Sequence, residues 1–257
     1  MRHALVRGVS PAMNRCELTH REREPIDIQR AKAEHRQYVT ALKDLGCRVH
    51  ELPAEPNLPD SVFVEDTAVI VGDAAVITWP GAASRRPEIE SIRAFLSDHL
   101  EVFRMEPPAT LDGGDVLRVG RTLYVGASGR TNAEGITQLR ALVTPRGYDV
   151  VPVVVIGCLH LKSAVTEVAD GVLLANRTHI DVDEFVGVEW MDVDLREPDA
   201  ANALRVGDEV LFPAAYPRTA EQLRRLGIRV RAVDVSELAK AEGAVTCCSL
   251  VWDTARV

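Results

Sequence analysis

Residues 66–80 read DTAVIVGDAAVITWP, an apolar strand, a short Gly-Asp turn and a second apolar strand. Four further segments have the same form: 115–127 (DVLRVGRTLYVGA), 163–177 (SAVTEVADGVLLANR), 202–216 (NALRVGDEVLFPAAY) and 247–257 (CCSLVWDTARV). Their starts lie 49, 48, 39 and 45 residues apart, and a period of this length is typical of propellers and solenoids. The repeat therefore predicts equivalent units arranged around an axis.

The segments between the hairpins have the spacing of amphipathic helices, and most of these helices precede a short strand. Helices are predicted over 27–45, 87–98, 133–143, 219–226 and 236–241. Following strands are predicted to begin near residues 47, 101, 148 and 228, whereas no helix is evident in the third repeat after Arg177. The N-terminal strand from His3 is predicted to complete the last unit and close the ring. We expect one α/β domain over 1–257, built from strand-strand-helix-strand repeats around a central pocket.

Composition excludes several classes of function. A net charge of −8 and a pI near 5.4 argue against nucleic-acid or anionic-membrane binding and suit a cationic ligand. The sequence has no apolar run of the roughly 18 residues that a membrane span needs, and no signal core at its N-terminus. Five cysteines without paired spacing predict neither a disulfide framework nor a structural zinc site, so we expect a cytoplasmic protein.

Four repeats carry a reactive or acidic residue at or just before the first strand. These residues are Glu65 with Asp66, Asp112 with Asp115, His160, and Cys247. If the repeats surround an axis, a thiol, an imidazole and several carboxylates converge on one pocket. Such a pocket suits thiolate attack on a planar cation such as guanidinium, which carboxylates bind through paired N–H donors. The Gly-Gly between Asp112 and Asp115 is interpreted either as a tight turn or as a place where a ligand approaches the backbone.

Two arginines follow the first two hairpins at matching places. Arg85 and Arg130 could together hold a carboxylate, which would make the substrate cationic at one end and anionic at the other. Free arginine or a derivative of it fits both requirements. Residues 11–25 are polar and aperiodic, and they are interpreted as a surface loop or as a lid over the site.

Six ordered motifs resemble the dimethylarginine dimethylaminohydrolase family of the guanidine-modifying superfamily. They are LPDSVFVEDT at 58–67, PGAASRR at 80–86, TLDGGDVL at 110–117, GRTN at 129–132, LHLKS at 159–163 and TCCS at 246–249. The resemblance runs from about residue 18 to the C-terminus. It implies the pentein fold, a five-bladed α/β-propeller, and the conversion of Nω-methylated arginines to citrulline.

The same resemblance implies roles for individual residues. Cys247 would be the nucleophile, His160 the general acid and base, and Asp112 the carboxylate that orients His160. Asp66 would hold the guanidinium, in a pocket that Glu65 and Phe63 shape. Arg85 and Arg130 would bind the α-carboxylate. The α-ammonium would be bound by Asp60 and by the backbone at Leu18 and near Ala241.

Two alternatives remain at this point. One is an arginine or agmatine deiminase of the same superfamily, although those chains are usually longer. The other is a catalytically silent propeller that acts as a binding module, which would have no need for Cys247, His160 and Asp112 at equivalent positions. We expect no metal or organic cofactor, a small-molecule substrate and a homodimer. The preference between mono- and dimethylated arginine is left open.

Overall fold

The computed structural model describes residues 1–254, and within them five three-stranded sheets repeat around an axis. The strands are Arg2–Arg7 (β1), Arg48–Leu52 (β2), Ala68–Val71 (β3), Ala74–Ile77 (β4), Glu101–Arg104 (β5), Val116–Val119 (β6), Thr122–Ala127 (β7), Asp149–Val154 (β8), Val165–Ala169 (β9), Val172–Ala175 (β10), Glu189–Asp192 (β11), Leu204–Val206 (β12), Glu209–Pro213 (β13), Arg229–Val233 (β14) and Leu250–Asp253 (β15).

Each sheet, or blade, has the same order. An inner strand pairs antiparallel with a middle strand, which pairs parallel with an outer strand. Blades 1 to 4 are β3-β4-β5, β6-β7-β8, β9-β10-β11 and β12-β13-β14. The predicted hairpins and the α/β-propeller are confirmed.

The fifth blade joins the two ends of the described chain. Strand β15 pairs antiparallel with β1, with Leu250 opposite Leu5, and β1 pairs parallel with β2. The predicted closure of the ring by the N-terminal strand is therefore confirmed. Residues 255–257 of the last predicted hairpin lie outside the described residues.

Helices cover the outer side of four blades. They are Ile28–Asp44 (α1), Ile89–Ser97 (α2), Ala133–Val143 (α3) and Pro217–Arg225 (α5), with the short helices Leu161–Ala164 (α4) and Ser236–Ala239 (α6) between blades. Asp27 accepts hydrogen bonds from the first turn of α1, and the Asn132 side chain accepts the Gly135 N–H in the first turn of α3. Blade 3 has only a 3₁₀ turn after β10, in agreement with the irregular third repeat. No helix within residues 1–254 combines the length and the apolar character that crossing a membrane requires.

The blades meet along a central axis with two different ends. The five inner strands surround a channel of about 630 Å³ that is lined by apolar and charged side chains. At the other end, the segments that enter these strands enclose a cavity of about 20 Å³. Because every inner strand begins at that end, the residues just before the strands converge there.

Candidate active site

The small cavity brings together eight of the eleven residues that the sequence proposes for the site. Its walls are formed by Glu17, Asp60, Phe63, Asp66, Arg85, Arg130, Leu159, His160, Ala241, Glu242, Gly243 and Cys247. The other three proposed residues lie close behind these walls. Asp112 is bonded to His160, Glu65 faces the wide channel, and Leu18 packs on the adjoining apolar cluster.

Cys247 lies in a turn and not at the start of a strand, so that part of the sequence prediction is wrong. The turn covers 245–248 and β15 begins at Leu250. The Ala244 N–H donates to Cys247 Sγ at 3.4 Å, and the Cys248 thiol donates to the Ala244 carbonyl oxygen at 3.5 Å. The turn still separates the two thiols, because Cys247 lines the cavity while Cys248 is fully buried in the apolar core.

His160 and Asp112 form a buried pair from neighbouring blades. His160 Nε2 lies 3.0 Å from Asp112 Oδ2, and the Gly81 N–H donates to Asp112 Oδ1 at 2.9 Å. Asp112 has no solvent exposure, and the exposed fraction of His160 is 5%. This distance shows that the short aspartate side chain reaches the imidazole directly.

The backbone at Gly114 explains why the two carboxylates flank a double glycine. A Cβ at Gly114 would lie 2.6 Å from His160 Nδ1 and 2.7 Å from Asp66 Oδ1. Only glycine leaves room for both side chains there. The sequence left open whether the double glycine is a tight turn or a place of close approach. In the structure Gly113–Asp115 form a 3₁₀ turn, and the group that approaches the backbone is the imidazole of His160.

Asp115 supports the chain next to His160, a role that sequence reasoning did not assign. Its Oδ1 accepts the Leu161 N–H at 2.9 Å, and its Oδ2 accepts the hydroxyls of Ser128 and Thr131 at 2.6 and 2.7 Å. Because Leu161 directly follows His160, these bonds fix the start of α4 and hence the imidazole. The position of Asp115 at the start of the second hairpin marks it in the sequence, but residue spacing does not reveal its partner, the Leu161 N–H.

Burial and the charges around the cavity give the thiol and the imidazole different protonation states. Burial alone would lower the pKa of His160, but Asp66, the hydrogen bond to Asp112 and Asp115 together raise it to about 9. Burial, Glu65 and Asp66 raise the pKa of Cys247 to about 12. Near neutral pH the site therefore holds a neutral thiol beside an imidazolium ion.

Arg85 is an internal cation of the site. Its Nη1 lies 2.5 Å from Asp66 Oδ2, its Nη2 donates to Glu88 at 2.8 Å and to the Phe63 carbonyl oxygen at 2.9 Å, and its Nε also faces Glu88. Burial opposes ionisation of Asp66, but His160 and Arg85 outweigh it and lower the pKa of Asp66 to about 2. Arg85 lines the cavity, and among residues 1–254 its Nη1, which carries two hydrogens, has Asp66 as its one hydrogen-bond acceptor.

Arg130 is placed differently from Arg85 although both line the cavity. Its side chain is 12% exposed, its Nη1 lies 3.8 Å from Asp112 Oδ2, and its Nη2 donates to Thr19 Oγ1 at 3.1 Å. No carboxylate of the described chain makes a close ion pair with it. Arg130 is therefore better placed than Arg85 to bind an incoming anion.

The Glu65 carboxylate accepts hydrogen bonds from two side chains below the Cys247 thiol. Lys162 Nζ donates to Glu65 Oε1 at 2.5 Å, and Thr246 Oγ1 donates to Glu65 Oε2 at 2.7 Å. The Glu65 N–H also donates to the Cys247 carbonyl oxygen at 3.1 Å. Lys162 was not proposed from the sequence, although it lies within the motif that contains His160.

Residues 17–21 cross over the cavity as a strap. The Glu17 N–H donates to both carboxylate oxygens of Asp60, at 3.3 and 3.1 Å. Glu242 accepts three successive backbone N–H groups, those of Thr19 at 3.0 Å, His20 at 2.5 Å and Arg21 at 2.6 Å. Glu242 adopts a φ of 58°, which is uncommon for a residue other than glycine. Residues 17–21 are therefore held against Asp60 and Glu242 as a strap and do not form a detached surface loop.

Asp66, Asp112 and His160 also bring ligand-type atoms within 4.8 Å of one another. These atoms already have partners, because Asp112 is bonded to His160 and Asp66 is paired with the Arg85 guanidinium. A metal cation at this point would face the buried positive charge of Arg85. The donor set therefore fits a network of internal ion pairs better than a metal centre.

Comparison with known proteins decides the family. A family model described as "N,N dimethylarginine dimethylhydrolase, eukaryotic" matches residues 10–174. An N(G),N(G)-dimethylarginine dimethylaminohydrolase from Streptomyces coelicolor is 41% identical over 249 residues, which cover 96% of this chain and 95% of the relative. The chain belongs to the dimethylarginine dimethylaminohydrolase family. A relative of the same name from Pseudomonas aeruginosa is 38% identical over 87% of this chain and 89% of its own length.

Solved structures agree with this family and with the fold. The Pseudomonas aeruginosa dimethylarginine dimethylaminohydrolase, as a cysteine-to-serine mutant complexed with citrulline, superposes with a TM-score of 0.93 at 35% identity and covers 97% of this chain and 98% of its own. A histidine-to-glycine mutant of a dimethylarginine dimethylaminohydrolase, in an adduct with S-methyl-L-thiocitrulline, also gives a TM-score of 0.93, at 36% identity over 97% of this chain and 99% of its own. This family consists of hydrolases that act on carbon–nitrogen bonds.

Proposed function

We propose that the protein hydrolyses Nω-methylated free arginines, asymmetric dimethylarginine and monomethylarginine, to citrulline and dimethylamine or methylamine. The observation that carries this proposal is the cavity itself, where the Cys247 thiol and the His160–Asp112 pair share walls with the buried carboxylate of Asp66. Membership of the family and the citrulline bound to the Pseudomonas aeruginosa relative support the same substrate class. The activity belongs to one catalytic domain, which we assign to residues 1–257.

The substrate guanidinium is proposed to lie against Asp66. One Asp66 oxygen pairs with Arg85, but a carboxylate has about four lone-pair directions, so Asp66 can also accept a substrate N–H. Phe63 forms a wall of this pocket, and Glu65 adds negative charge below it. Asp66 offers a carboxylate to the paired N–H donors of a guanidinium, the group that carboxylates accept bidentately.

The amino-acid end of the substrate is proposed to lie under the strap. Arg130 supplies the main charge for the α-carboxylate, and Arg85 adds its remaining Nη1 hydrogen. Asp60, together with backbone oxygens at Leu18 and near Ala241, would receive the α-ammonium. Asp60 already holds the Glu17 N–H, so the strap and the substrate would share this carboxylate.

The first chemical step begins with loss of the thiol proton to solvent, since His160 already carries its own proton. The pKa of Cys247, raised to about 12, falls when a guanidinium cation binds beside it, since an opposite charge favours the thiolate. The thiolate attacks the guanidinium carbon and forms the carbon–sulfur bond. His160, already an imidazolium ion, donates its proton to the departing amine as the carbon–nitrogen bond breaks. The product on the enzyme is a covalent thiouronium on Cys247.

The second step reverses the role of His160. Once it has lost its proton to the amine, the neutral imidazole accepts a proton from water, and the hydroxide attacks the thiouronium carbon. Collapse of the tetrahedral intermediate breaks the carbon–sulfur bond and releases citrulline, the proton of its hydroxyl group returns to the Cys247 sulfur, and His160 is left protonated. Asp112 stabilises the imidazolium ion at both ends of the cycle through its 3.0 Å hydrogen bond. No step of this mechanism requires a metal or an organic cofactor.

The remaining expectations concern the state of the protein in the cell. A cytoplasmic compartment suits five cysteines that are all free thiols. Nucleic-acid and membrane binding are not expected of a chain with a net charge of −8. The homodimer stays a prediction.

The decisive experiment measures citrulline colorimetrically after incubation with dimethyl-, monomethyl- and unmodified arginine and with agmatine. We expect turnover of the methylated arginines and little turnover of the other two. Preferential turnover of arginine or agmatine would replace the proposal with a deiminase. An inactive protein whose Cys247 shows no selective reaction with thiol reagents would support the binding module.

A further inference from the structure

Blade 4 contributes nothing to the walls of the catalytic cavity, yet its repeat has a polar residue at the equivalent position. The walls come from the strap, from the segments leading into blades 1, 3 and 5, from Arg85 and Arg130 after the hairpins of blades 1 and 2, and from the loop after α6. Asn202 begins the fourth repeat, where the other repeats supply the acids, the imidazole and the thiol. It is 5% exposed, and its amide lies between two of the segments that carry reacting groups.

The amide of Asn202 is fully engaged. Its Oδ1 accepts the Thr246 N–H at 3.1 Å, and its Nδ2 donates to Thr246 Oγ1 at 2.9 Å and to the Lys162 carbonyl oxygen at 3.0 Å. A backbone N–H can only donate and a backbone carbonyl can only accept. These two partners therefore fix which end of the amide faces Thr246 N and which faces Lys162.

The two partners of Asn202 belong to the turns that carry the nucleophile and the acid. Thr246 directly precedes Cys247, and Lys162 lies two residues after His160. Glu65 connects the same two turns from below, since it accepts Thr246 Oγ1 and Lys162 Nζ. Asn202, Thr246, Glu65 and Lys162 thus form a closed cycle of contacts from four blades, directly beneath the thiol and the imidazole.

We propose that Asn202 is a positioning residue that sets the distance between the Cys247 thiol and the His160 imidazole by tying their two turns together. The proposal rests on the proposed function. Asn202 touches neither thiol nor imidazole, so its effect is on geometry. A displacement near 1 Å at reacting groups can cost about 10²-fold in rate.

The test compares Asn202→Ala with Thr166→Val. Thr166 is a matched control because it is also buried and ties blade 3 to blade 4, through the Ala201 carbonyl oxygen at 2.6 Å and the Ala203 N–H at 3.1 Å, without touching either turn. We expect Asn202→Ala to lower kcat for dimethylarginine by about 10- to 100-fold with little change in KM. Thr166→Val should keep kcat near the wild-type value when each variant is assayed equally far below its own melting temperature.

A second substrate separates positioning from general damage. S-methyl-L-thiocitrulline releases methanethiol, a leaving group that depends less on protonation by His160 than an amine does. The loss in Asn202→Ala should therefore be several-fold smaller with the thiocitrulline than with dimethylarginine. Thr246→Val should reproduce the defect and Thr246→Ser should restore most of the rate, since serine retains the hydroxyl. The double variant Asn202→Ala/Thr246→Val should be no worse than the poorer single variant.

Equal kcat losses in Asn202→Ala and Thr166→Val, or equal losses on both substrates, would overturn the proposal. If the wild-type protein does not hydrolyse methylated arginines, the proposed function has failed on its own, and placement of the thiol is then measured by iodoacetamide alkylation of Cys247. If the alkylation rate of Cys247 changes in Asn202→Ala but not in Thr166→Val, Asn202 still positions the thiol. Identical alkylation rates in Asn202→Ala and in the wild-type protein would refute the positioning role of Asn202.

Discussion

The two ends of the propeller axis are built from the same five repeats and from the same kinds of charged residue, yet the wide end includes ion pairs that reach the solvent and the catalytic end is built from buried ones. At the wide end, Arg2 pairs with Asp253 at 3.0 Å and Arg205 with Asp170 at 2.7 Å, with the two aspartates 59% and 96% exposed. At the catalytic end, the side chains of Arg85, Asp66 and Glu88 are at most 5% exposed.

Burial therefore decides what a charge does in this fold. Exposed ion pairs contribute about 0–1 kcal/mol because water screens them. In the buried cavity water screens the same attraction much less, which keeps His160 protonated and Asp66 ionised near neutral pH. At the catalytic end, neighbouring charges set the protonation states of His160 and Asp66, whereas the wide end is a channel of about 630 Å³.

The largest effect is expected from Cys247→Ser. A neutral hydroxyl is too weak a nucleophile for a guanidinium carbon, so turnover should fall by about 10⁴-fold or more, while folding and substrate binding persist. Citrulline formation and binding of dimethylarginine measured by calorimetry check both parts.

Cys248→Ser is the matched control for the nucleophile. Its side chain is fully buried in the apolar core and does not line the cavity, so this variant should lose stability and retain activity. An inactive Cys248→Ser beside an active Cys247→Ser would reverse the assignment.

Asp112→Asn should lower kcat by about 10²- to 10⁴-fold, the range of general acid–base contributions. It also removes one of the negative charges that raise the pKa of His160 to about 9. Since a raised pKa keeps the imidazolium ion present up to higher pH, losing that charge should move the alkaline fall of the pH–rate profile to lower pH.

The readout for Asp112→Asn is the profile of kcat/KM against pH. Asp253→Asn at the wide end, whose ion pair within residues 1–254 is with Arg2, serves as the comparison and should leave the profile unchanged. An alkaline limb that stays in place in Asp112→Asn would show that Asp112 does not control the charge of His160.

Arg130→Gln tests the proposed contact with the α-carboxylate. A charged hydrogen bond contributes about 1.5–3 kcal/mol, so KM for methylated arginine should rise roughly 10- to 150-fold. Arg85 is a poorer choice for this test, since its removal also leaves Asp66 and Glu88 buried without their cation.

Agmatine, which lacks the α-carboxylate, provides the control substrate. It should be poor for the wild-type protein and lose little further in Arg130→Gln. Wild-type turnover of agmatine at the rate of methylarginine would refute the carboxylate contact and the amino-acid substrate together.

The smallest effect is expected from Arg205→Ala at the wide end. Its partner Asp170 is 96% exposed and its contact with Glu167 is long, at 3.7 Å, so stability should change by about 1 kcal/mol or less and kcat/KM should remain within about twofold. Thermal unfolding and the citrulline assay measure the two values. A large loss of activity would mean that the wide channel takes part in catalysis, and the contrast between the two ends would no longer hold.

Local pattern was enough to predict most of the fold and much of the site. The alternation of the hairpins and the amphipathic spacing of the helices depend on neighbours within about 20 residues. They recur every 39 to 49 residues, so the repeat can also be read along the chain. The repeat also predicted that Asp66, His160 and Cys247 would meet, because equivalent positions around an axis converge. The turn at Cys247 was missed, since two cysteines before an apolar run have the same pattern as a strand.

Tertiary structure decided which partner each converging residue has. Glu65 meets Thr246 across 181 residues, Glu242 holds the N–H groups at 19–21, and Asn202 joins the turns of Lys162 and Thr246. No periodicity encodes these contacts, because they depend on how the blades close. The protonation states follow from the same closure: the composition supplies thiol, imidazole and carboxylates, but only their common burial keeps His160 charged and Cys247 neutral until a cation arrives.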